Sequence, residues 1–171
     1  SPSSAASDVY KRQAVNIPGN LVATTASQQN GVITLGSGSD IVVAGNLTAK
    51  EGGNINIEGD FLSFGGEVDV SGTNAGAINL NSSGEIALGG TLNASSTGND
   101  GGDINIKSQY KIVQSHSSEI NSSGNTNGGN ILLSAPNIMS SGSVSAKGNQ
   151  QGGYIDICLL YTSPSPRDPS I

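Results

Sequence analysis

Apolar and polar residues alternate in short runs along most of the chain. The stretch Gly101–Ile106, GGDINI, is one example, in which a glycine pair precedes two isoleucines separated by one polar residue. Alternation with a period of two is typical of a β-strand with one buried face, and no stretch of ten or more residues shows the helical period of 3.6. The chain is therefore predicted to be all-β, with short strands joined by turns rich in Gly, Ser and Asn.

The GGDINI motif recurs along the chain. Its relatives are GGNINI at Gly52–Ile57, AGAINL at Ala75–Leu80, GGNILL at Gly128–Leu133, GGYIDI at Gly152–Ile157 and a weaker GVITL at Gly31–Leu35. Their first apolar positions lie 22, 23, 26, 27 and 24 residues apart, at Ile33, Ile55, Ile78, Ile104, Ile131 and Ile155. The second apolar positions are Leu35, Ile57, Leu80, Ile106, Leu133 and Ile157. A phosphate-binding loop would occur once and precede a helix, so the glycine pair marks a structural repeat.

Each repeat contains two further alternating segments. One has its first apolar residue at Val15, Ile41, Leu62, Ile86, Ile112 and Ile138, and the other at Leu21, Leu47, Val68, Leu92, Ile120 and Val144. Three short strands per repeat of about 24 residues can bury their apolar faces only by stacking repeat on repeat. The sequence thus predicts a right-handed parallel β-helix of five to six coils, with the Ile and Leu positions as its core ladder. A left-handed helix is disfavoured because the strict six-residue repeat typical of it is absent.

The two ends of the chain differ from the middle. Ser3–Gln13 and Cys158–Asp168 hold three of the seven basic residues and the only cysteine. A DNA sequence that encodes DVYKRQ encodes CLLYTS when its reverse strand is read with a one-base shift, so one inverted element explains both ends. That element resembles a transposase sequencing adapter. Residues 1–13 and 158–171 are therefore expected to be adapter-derived and disordered, and residues 14–157 to be a β-helix fragment. Genuine disordered tails are the alternative.

Charge and composition narrow the function. The chain has thirteen acidic and seven basic residues and a formal net charge of −6. Residues 14–157 alone have eleven acidic residues, four lysines, no arginine and no cysteine. This balance argues against nucleic-acid binding, and no apolar stretch is long enough to span a membrane. No cofactor is predicted. The lack of cysteine is compatible with an exported protein.

The repeats resemble a known family. The GGxIxI motif, with GEIALGGTLNASS at Gly84–Ser96 and GGNILLSAPNIMSSGSVSAKG at Gly128–Gly148, is similar to the rod of filamentous-haemagglutinin-like adhesins exported by two-partner secretion. The resemblance implies a structural rod or spacer, not an enzyme, in a secreted or surface-exposed bacterial protein. Its implied partners are an outer-membrane transporter during secretion and host-cell or microbial glycans or proteins. The family's Asn-Pro-Asn-Gly secretion motif is absent, so an internal rod segment is expected.

A column of asparagines is the first candidate binding surface. Asn56, Asn79 and Asn105 each lie between the two inward positions of the GGxIxI strand, so alternation predicts that they point outward. They are expected to form an exposed amide ladder, which Leu132 and Asp156 interrupt. A simple soluble face and a glycan-binding face both remain open as interpretations.

Two other polar segments of the sequence are candidates for a catalytic or a metal site. His116 lies beside Ser115, Ser117 and Glu119 and is expected to be a solvated turn histidine. Asn99, Asp100 and Asp103 lack the spacing of a calcium loop and are expected to form a turn.

An enzyme of the pectate-lyase type is the remaining alternative. Such enzymes cluster carboxylates with a basic residue, and the candidate acids are Glu58, Asp60, Glu67, Asp69 and Glu85. These acids are expected on solvated outer faces. Tyr110 and Tyr154 occupy different repeat positions, so no platform for stacking a sugar ring is predicted.

Both ends of the fragment lack visible caps, which predicts self-association in sedimentation experiments.

Overall fold

The computed structural model describes residues 15–19, 21–22, 31–36 and 38–160. These residues form three parallel six-stranded sheets, and each coil contributes one strand to each sheet in turn. The first sheet contains β1 (Val15–Ile17), β4 (Ile41–Val43), β7 (Leu62–Phe64), β10 (Glu85–Leu88), β13 (Lys111–Gln114) and β16 (Asn137–Ser140). The second contains β2 (Leu21–Val22), β5 (Leu47–Thr48), β8 (Glu67–Asp69), β11 (Thr91–Asn93), β14 (Glu119–Asn121) and β17 (Ser143–Ser145). The third contains β3 (Val32–Gly36), β6 (Asn54–Gly59), β9 (Ala77–Ser82), β12 (Asp103–Ser108), β15 (Asn130–Ala135) and β18 (Tyr154–Leu159).

The strand register aligns equivalent residues of successive coils. In the third sheet, Ile104 of β12 pairs with Ile78 of β9 on one side and with Ile131 of β15 on the other. In the first sheet, Ile86 pairs in the same way with Leu62 and Ile112. Because every strand is parallel to its neighbours one coil away, the chain is a β-solenoid of about six turns, which confirms the predicted all-β, parallel β-helix fold class.

The core is a set of apolar columns inside the stack. Ile55, Ile78 and Ile104 are fully buried, and Phe64 of β7 is the largest buried side chain. The last coil differs: Ile155 and Ile157 of β18 pair in register with Ile131 and Leu133 but are 46% and 52% exposed. Their outer side has no further strand in the described part of the chain, so these two ladder positions are stacked without being buried.

The second glycine of each motif allows the close approach of successive coils. An added Cβ at Gly102 would overlap the carbonyl oxygen of Gly76, and one at Gly129 would overlap that of Gly102. The same holds for Gly153 against Gly129. The motif therefore has glycine at this position because a side chain has no room between two stacked backbones.

The core contains a polar segment near its C-terminal end. Gln114 is 1% exposed and occupies the column that Phe64 and Leu88 fill in earlier coils. Its amide nitrogen donates to the carbonyl oxygens of Ser118 and Ser143, at 3.3 and 3.0 Å. Ser140 Oγ donates to the side-chain Oε1 of Gln114 at 2.5 Å. These bonds let an amide replace an apolar side chain inside the stack.

Strand β18 ends at Leu159, two residues beyond the boundary predicted at residue 157. Cys158 is exposed, and its backbone pairs with Ser134 of β15. The remaining residues predicted to be adapter-derived, 1–13 and 161–171, lie outside the described residues.

Candidate functional site

The asparagine column forms a hydrogen-bonded ladder. Asn79 Nδ2 donates to Asn56 Oδ1 at 2.9 Å, and Asn105 Nδ2 donates to Asn79 Oδ1 at 3.0 Å. The column is half-buried on the outer face of the third sheet, and Thr34 and Leu132 continue it at the two ends. Because each amide bonds to the amide of the next coil, much of the hydrogen-bonding capacity of this face is used within the protein.

His116 is not assembled into a catalytic group in the described part of the chain. It is exposed, and its Nδ1 lies 3.3 Å from the carbonyl oxygen of Ser141. The neighbouring hydroxyls of Ser115 and Ser117 lie 3.3 Å from each other. Ser118 Oγ is buried and has no hydrogen-bond partner. A nucleophile activated by an oriented base requires contacts that this turn does not make.

Asp100 and Asp103 bind amides of the following coil. Asp100 Oδ1 accepts hydrogen bonds from the backbone N and from Nδ2 of Asn127, at 3.1 and 2.9 Å. Asp103 Oδ1 accepts one from Asn130 Nδ2 at 2.9 Å. Among the described residues, no group of three or more His, Cys, Asp or Glu side chains has the geometry to hold a metal ion. These two carboxylates therefore link one coil to the next.

The five acidic residues compared with a lyase site lie in separate places. Asp69 differs from expectation: it is buried and pairs with Lys50 Nζ at 3.1 Å, whereas a solvated outer position was predicted. Asp69 ends β8 between Thr48 and Asn93 of the adjacent coils, and the backbone N of Ser71 donates to its Oδ1 at 2.9 Å. Glu85 pairs with Lys111 at 2.9 Å on the first sheet. Glu67 starts β8 of the second sheet. Glu58 and Asp60 line one groove in the described part of the chain.

The Glu85–Lys111 ion pair is expected to lose its contribution to folding stability at alkaline pH. The hydrogen bond from Lys111 to Glu85, followed by the Glu85 charge, raises the pKa of Lys111. A raised pKa means that the folded chain binds the Lys111 proton more tightly than the unfolded chain does. The contribution of this ion pair to folding stability is therefore complete below the unfolded pKa of about 10.4 and is lost as pH rises through the folded pKa. We expect Glu85→Gln to lower the pKa of Lys111 in a ¹³C NMR titration. Glu119→Gln, on the second sheet, is the control, and an equal change in both variants would contradict the assignment.

The two candidate tyrosines are exposed and lie at different positions of the coil. Tyr110 is in the turn before β13, where Lys111 Nζ lies 5.8 Å from its ring centre. Tyr154 begins β18 of the third sheet. They do not form a joint platform for a sugar ring.

A polar groove lies along the turns that connect the third sheet to the first. Its volume is about 180 Å³, and its lining includes Glu58, Asp60, Asn81, Ser83 and Gln109. Ser83 Oγ donates to Asp60 Oδ1 at 2.9 Å. Asn81, Ser83 and Gln109 were not identified as site residues from the sequence. The repeat register could have identified them, because it places Glu58 beside Asn81 on adjacent strands. The polar residues that follow these two lie together at the C-terminal ends of the strands of the third sheet.

The described part of the chain contains no helix with the length and apolar character needed to cross a lipid bilayer. Comparisons with protein-family models, with curated proteins and with solved structures found no match to this chain.

Proposed function

We propose that this chain is a structural rod or spacer segment. The observation that carries the proposal is the continuity of three six-stranded parallel sheets, in which every coil pairs with the next in register. In such a stack each strand is fixed by backbone hydrogen bonds and by burial of its apolar column, so the coils form a stiff one-dimensional body. Five coil-to-coil steps of about 4.8 Å give a length of about 24 Å.

The side chains on the outside of the stack support the same role. The asparagine ladder joins three successive coils, and the bonds of Asp100 with Asn127 and of Asp103 with Asn130 join the third of these coils to the next. Each bond connects one coil to the next, along the direction in which a rod is loaded. A solenoid whose outer amides and carboxylates link coils in this way is suited to transmit force and hold its length.

The proposed parent is an adhesin of the filamentous-haemagglutinin type, secreted or displayed on a bacterial surface through an outer-membrane transporter. The GGxIxI repeats and the β-solenoid fold support this proposal. The rod would carry adhesive parts that contact host-cell or microbial glycans or proteins. We propose no catalytic activity for the chain, and cleavage of a polysaccharide by the purified chain would contradict this.

Single-molecule pulling tests the rod function. With handles at Val15 and Leu159, the chain is expected to resist force and then to lengthen coil by coil. Each coil of about 24 residues should add about 80 Å of contour length, since an extended residue spans about 3.3–3.6 Å. Ile104→Ala should lower the unfolding force more than Ile155→Ala, because only the first is fully buried. Extension without measurable resistance would contradict a load-bearing role.

Self-association is a further proposal that follows from the exposed edge of the last coil. Tyr154, Ile157 and Leu159 of β18 are more than half exposed, and the outer edge of the strand is unpaired in the described part of the chain. Exposed apolar strand edges favour pairing with another chain. Sedimentation velocity should show dimers or longer species that increase with concentration, and a monomer at all concentrations would count against the proposal.

A further inference from the structure

The polar groove beside the third sheet contains hydrogen-bonding groups that the protein itself does not use. The Glu58 carboxylate and the side-chain amides of Asn81 and Gln109 have no hydrogen bond or ion pair in the described part of the chain. Asp60 accepts one bond, from Ser83, on one of its two oxygens. Two carboxylates and two amides are therefore available to a ligand within one concave surface.

The neighbouring asparagine column differs from the groove in how its side chains are paired. Asn79 and Asn81 lie on the same strand, β9, two residues apart and on the same face of the sheet. Asn79 bonds to the amides of both adjacent coils, whereas the neighbours of Asn81 in register are Glu58 and Lys107, and Asn81 bonds to neither side chain. Stacking alone thus provides these side chains with no partner, although their strands are paired residue by residue.

The groove is small, and it is open beside Gly38. Gly38 is part of its lining, and an added Cβ at Gly38 would meet no atom within 4 Å. The volume of about 180 Å³ is below the roughly 300–1,000 Å³ typical of pockets for drug-sized molecules. A groove of this size accommodates one small ring.

The chemistry of the lining selects among ligand classes. Two carboxylates disfavour an anionic ligand by charge repulsion. A calcium ion needs six to eight oxygen ligands with several carboxylates, and the described residues offer no metal-binding group of three acidic or other ligating side chains. A neutral ring with several hydroxyls matches the groove best, since a hydroxyl donates to a carboxylate oxygen and accepts from an amide N–H.

We propose that the groove lined by Glu58, Asp60, Asn81, Ser83 and Gln109 binds one neutral monosaccharide unit. Glu58 and Asp60 accept hydrogen bonds from ring hydroxyls, and the amides of Asn81 and Gln109 donate to and accept from adjacent hydroxyls. The site lies at the C-terminal ends of the strands of the third sheet. It is next to the asparagine ladder but does not include the ladder residues. The proposal is independent of the rod function, because a side groove can bind sugar whether or not the stack bears load.

Chemical-shift perturbation in ¹⁵N NMR of the full chain tests the proposal. The probes are the neutral sugars glucose, galactose, mannose and N-acetylglucosamine, with glucuronate and galacturonate as anionic counterparts. We expect at least one neutral sugar to shift the resonances of residues 58–60, 81–83 and 109 with a dissociation constant on the order of millimolar, as small uncharged ligands commonly bind. A linear oligomer of that sugar distinguishes a chain unit from a free sugar: tighter binding of the oligomer indicates a glycan ligand.

Variants with matched controls identify the groups responsible. Glu58→Gln and Asn81→Ala should each weaken binding about fivefold or more, and Gly38→Phe should abolish it by filling the groove. Two control variants should leave binding unchanged. They are Glu119→Gln on the second sheet and Asn54→Ala at the start of β6, the end of that strand away from the groove. All five positions lie on the outside of the stack, so circular dichroism should show an intact fold. No groove shift up to about 100 mM of every neutral sugar, equal binding of the uronates, or equal loss in the controls would overturn the proposal.

Discussion

Ile104→Ala is expected to lower the free energy of unfolding by about 4 kcal/mol, and Ile155→Ala by about 1 kcal/mol. Both isoleucines occupy the same column of the third sheet and differ in coverage, since Ile104 is fully buried and Ile155 is 46% exposed. Removing the Ile104 side chain leaves a cavity between the β9 and β15 coils, which adds a cavity cost to the lost burial. At Ile155 the space opens to solvent, so only part of the burial is lost.

Urea unfolding followed by circular dichroism, at a concentration at which sedimentation shows a monomer, measures this difference. The slope of the free energy against urea should stay the same in both variants, so that the shift in midpoint reports stability alone. A repeat stack can lose cooperativity, and a reduced slope for Ile104→Ala would indicate that the two halves of the stack unfold separately. Equal costs for the two variants would show that Ile155 is covered in solution, which is the result expected if coils of two molecules stack on each other.

Gly102→Ala is expected to cost about 3 kcal/mol, whereas Gly152→Ala should change stability by less than about 0.5 kcal/mol. An added Cβ at Gly102 overlaps the backbone carbonyl of Gly76, and a backbone atom inside a paired stack cannot move aside as a side chain does. At Gly152 the nearest atom lies 3.9 Å from the added Cβ, an ordinary contact. Both are replacements of one glycine of a repeat motif by the same residue.

Thermal unfolding of the two glycine variants provides the measurement. Gly102→Ala should lower the melting temperature by several degrees or more, and Gly152→Ala should leave it nearly unchanged. Because alanine also reduces the entropy of the unfolded chain, a small stabilisation at Gly152 is compatible with the argument. A tolerated alanine at Gly102 would mean that the coils can separate locally at little cost, and the spatial explanation of the glycine pair would then be wrong.

The strand register could be predicted because the spacing of the sequence repeat determines which residues pair between successive coils. Equivalent apolar residues recur about every 24 positions, and parallel stacking is the arrangement that places Ile78 over Ile55 and Ile104 over Ile78. Alternation also placed the asparagine column outside. These predictions depend only on which face a side chain takes and on the length of the repeat, and both are local properties of the sequence.

The partners of individual polar side chains were not predictable in the same way. Asp69 follows the alternation of an outer position, yet it is buried and forms an ion pair with Lys50 of the preceding coil. Gln114 falls in an apolar column, where its amide finds two backbone carbonyls that single-sequence patterns do not locate. The groove at Glu58, Asn81 and Gln109 combines residues of three coils.

The sequence by itself thus determined the architecture of this protein: an all-β chain, a repeat of about 24 residues, three strands per coil and the columns that stack. Burial of apolar surface at a fixed period allows few other solutions, so the pattern is sufficient. The tertiary structure alone decided which polar groups are paired and which remain available, because that depends on loop paths and on side chains brought together from different coils. The amides of Asn56, Asn79 and Asn105 bond to one another, while those of Asn81 and Gln109 face an open groove, and only the folded geometry distinguishes the two sets.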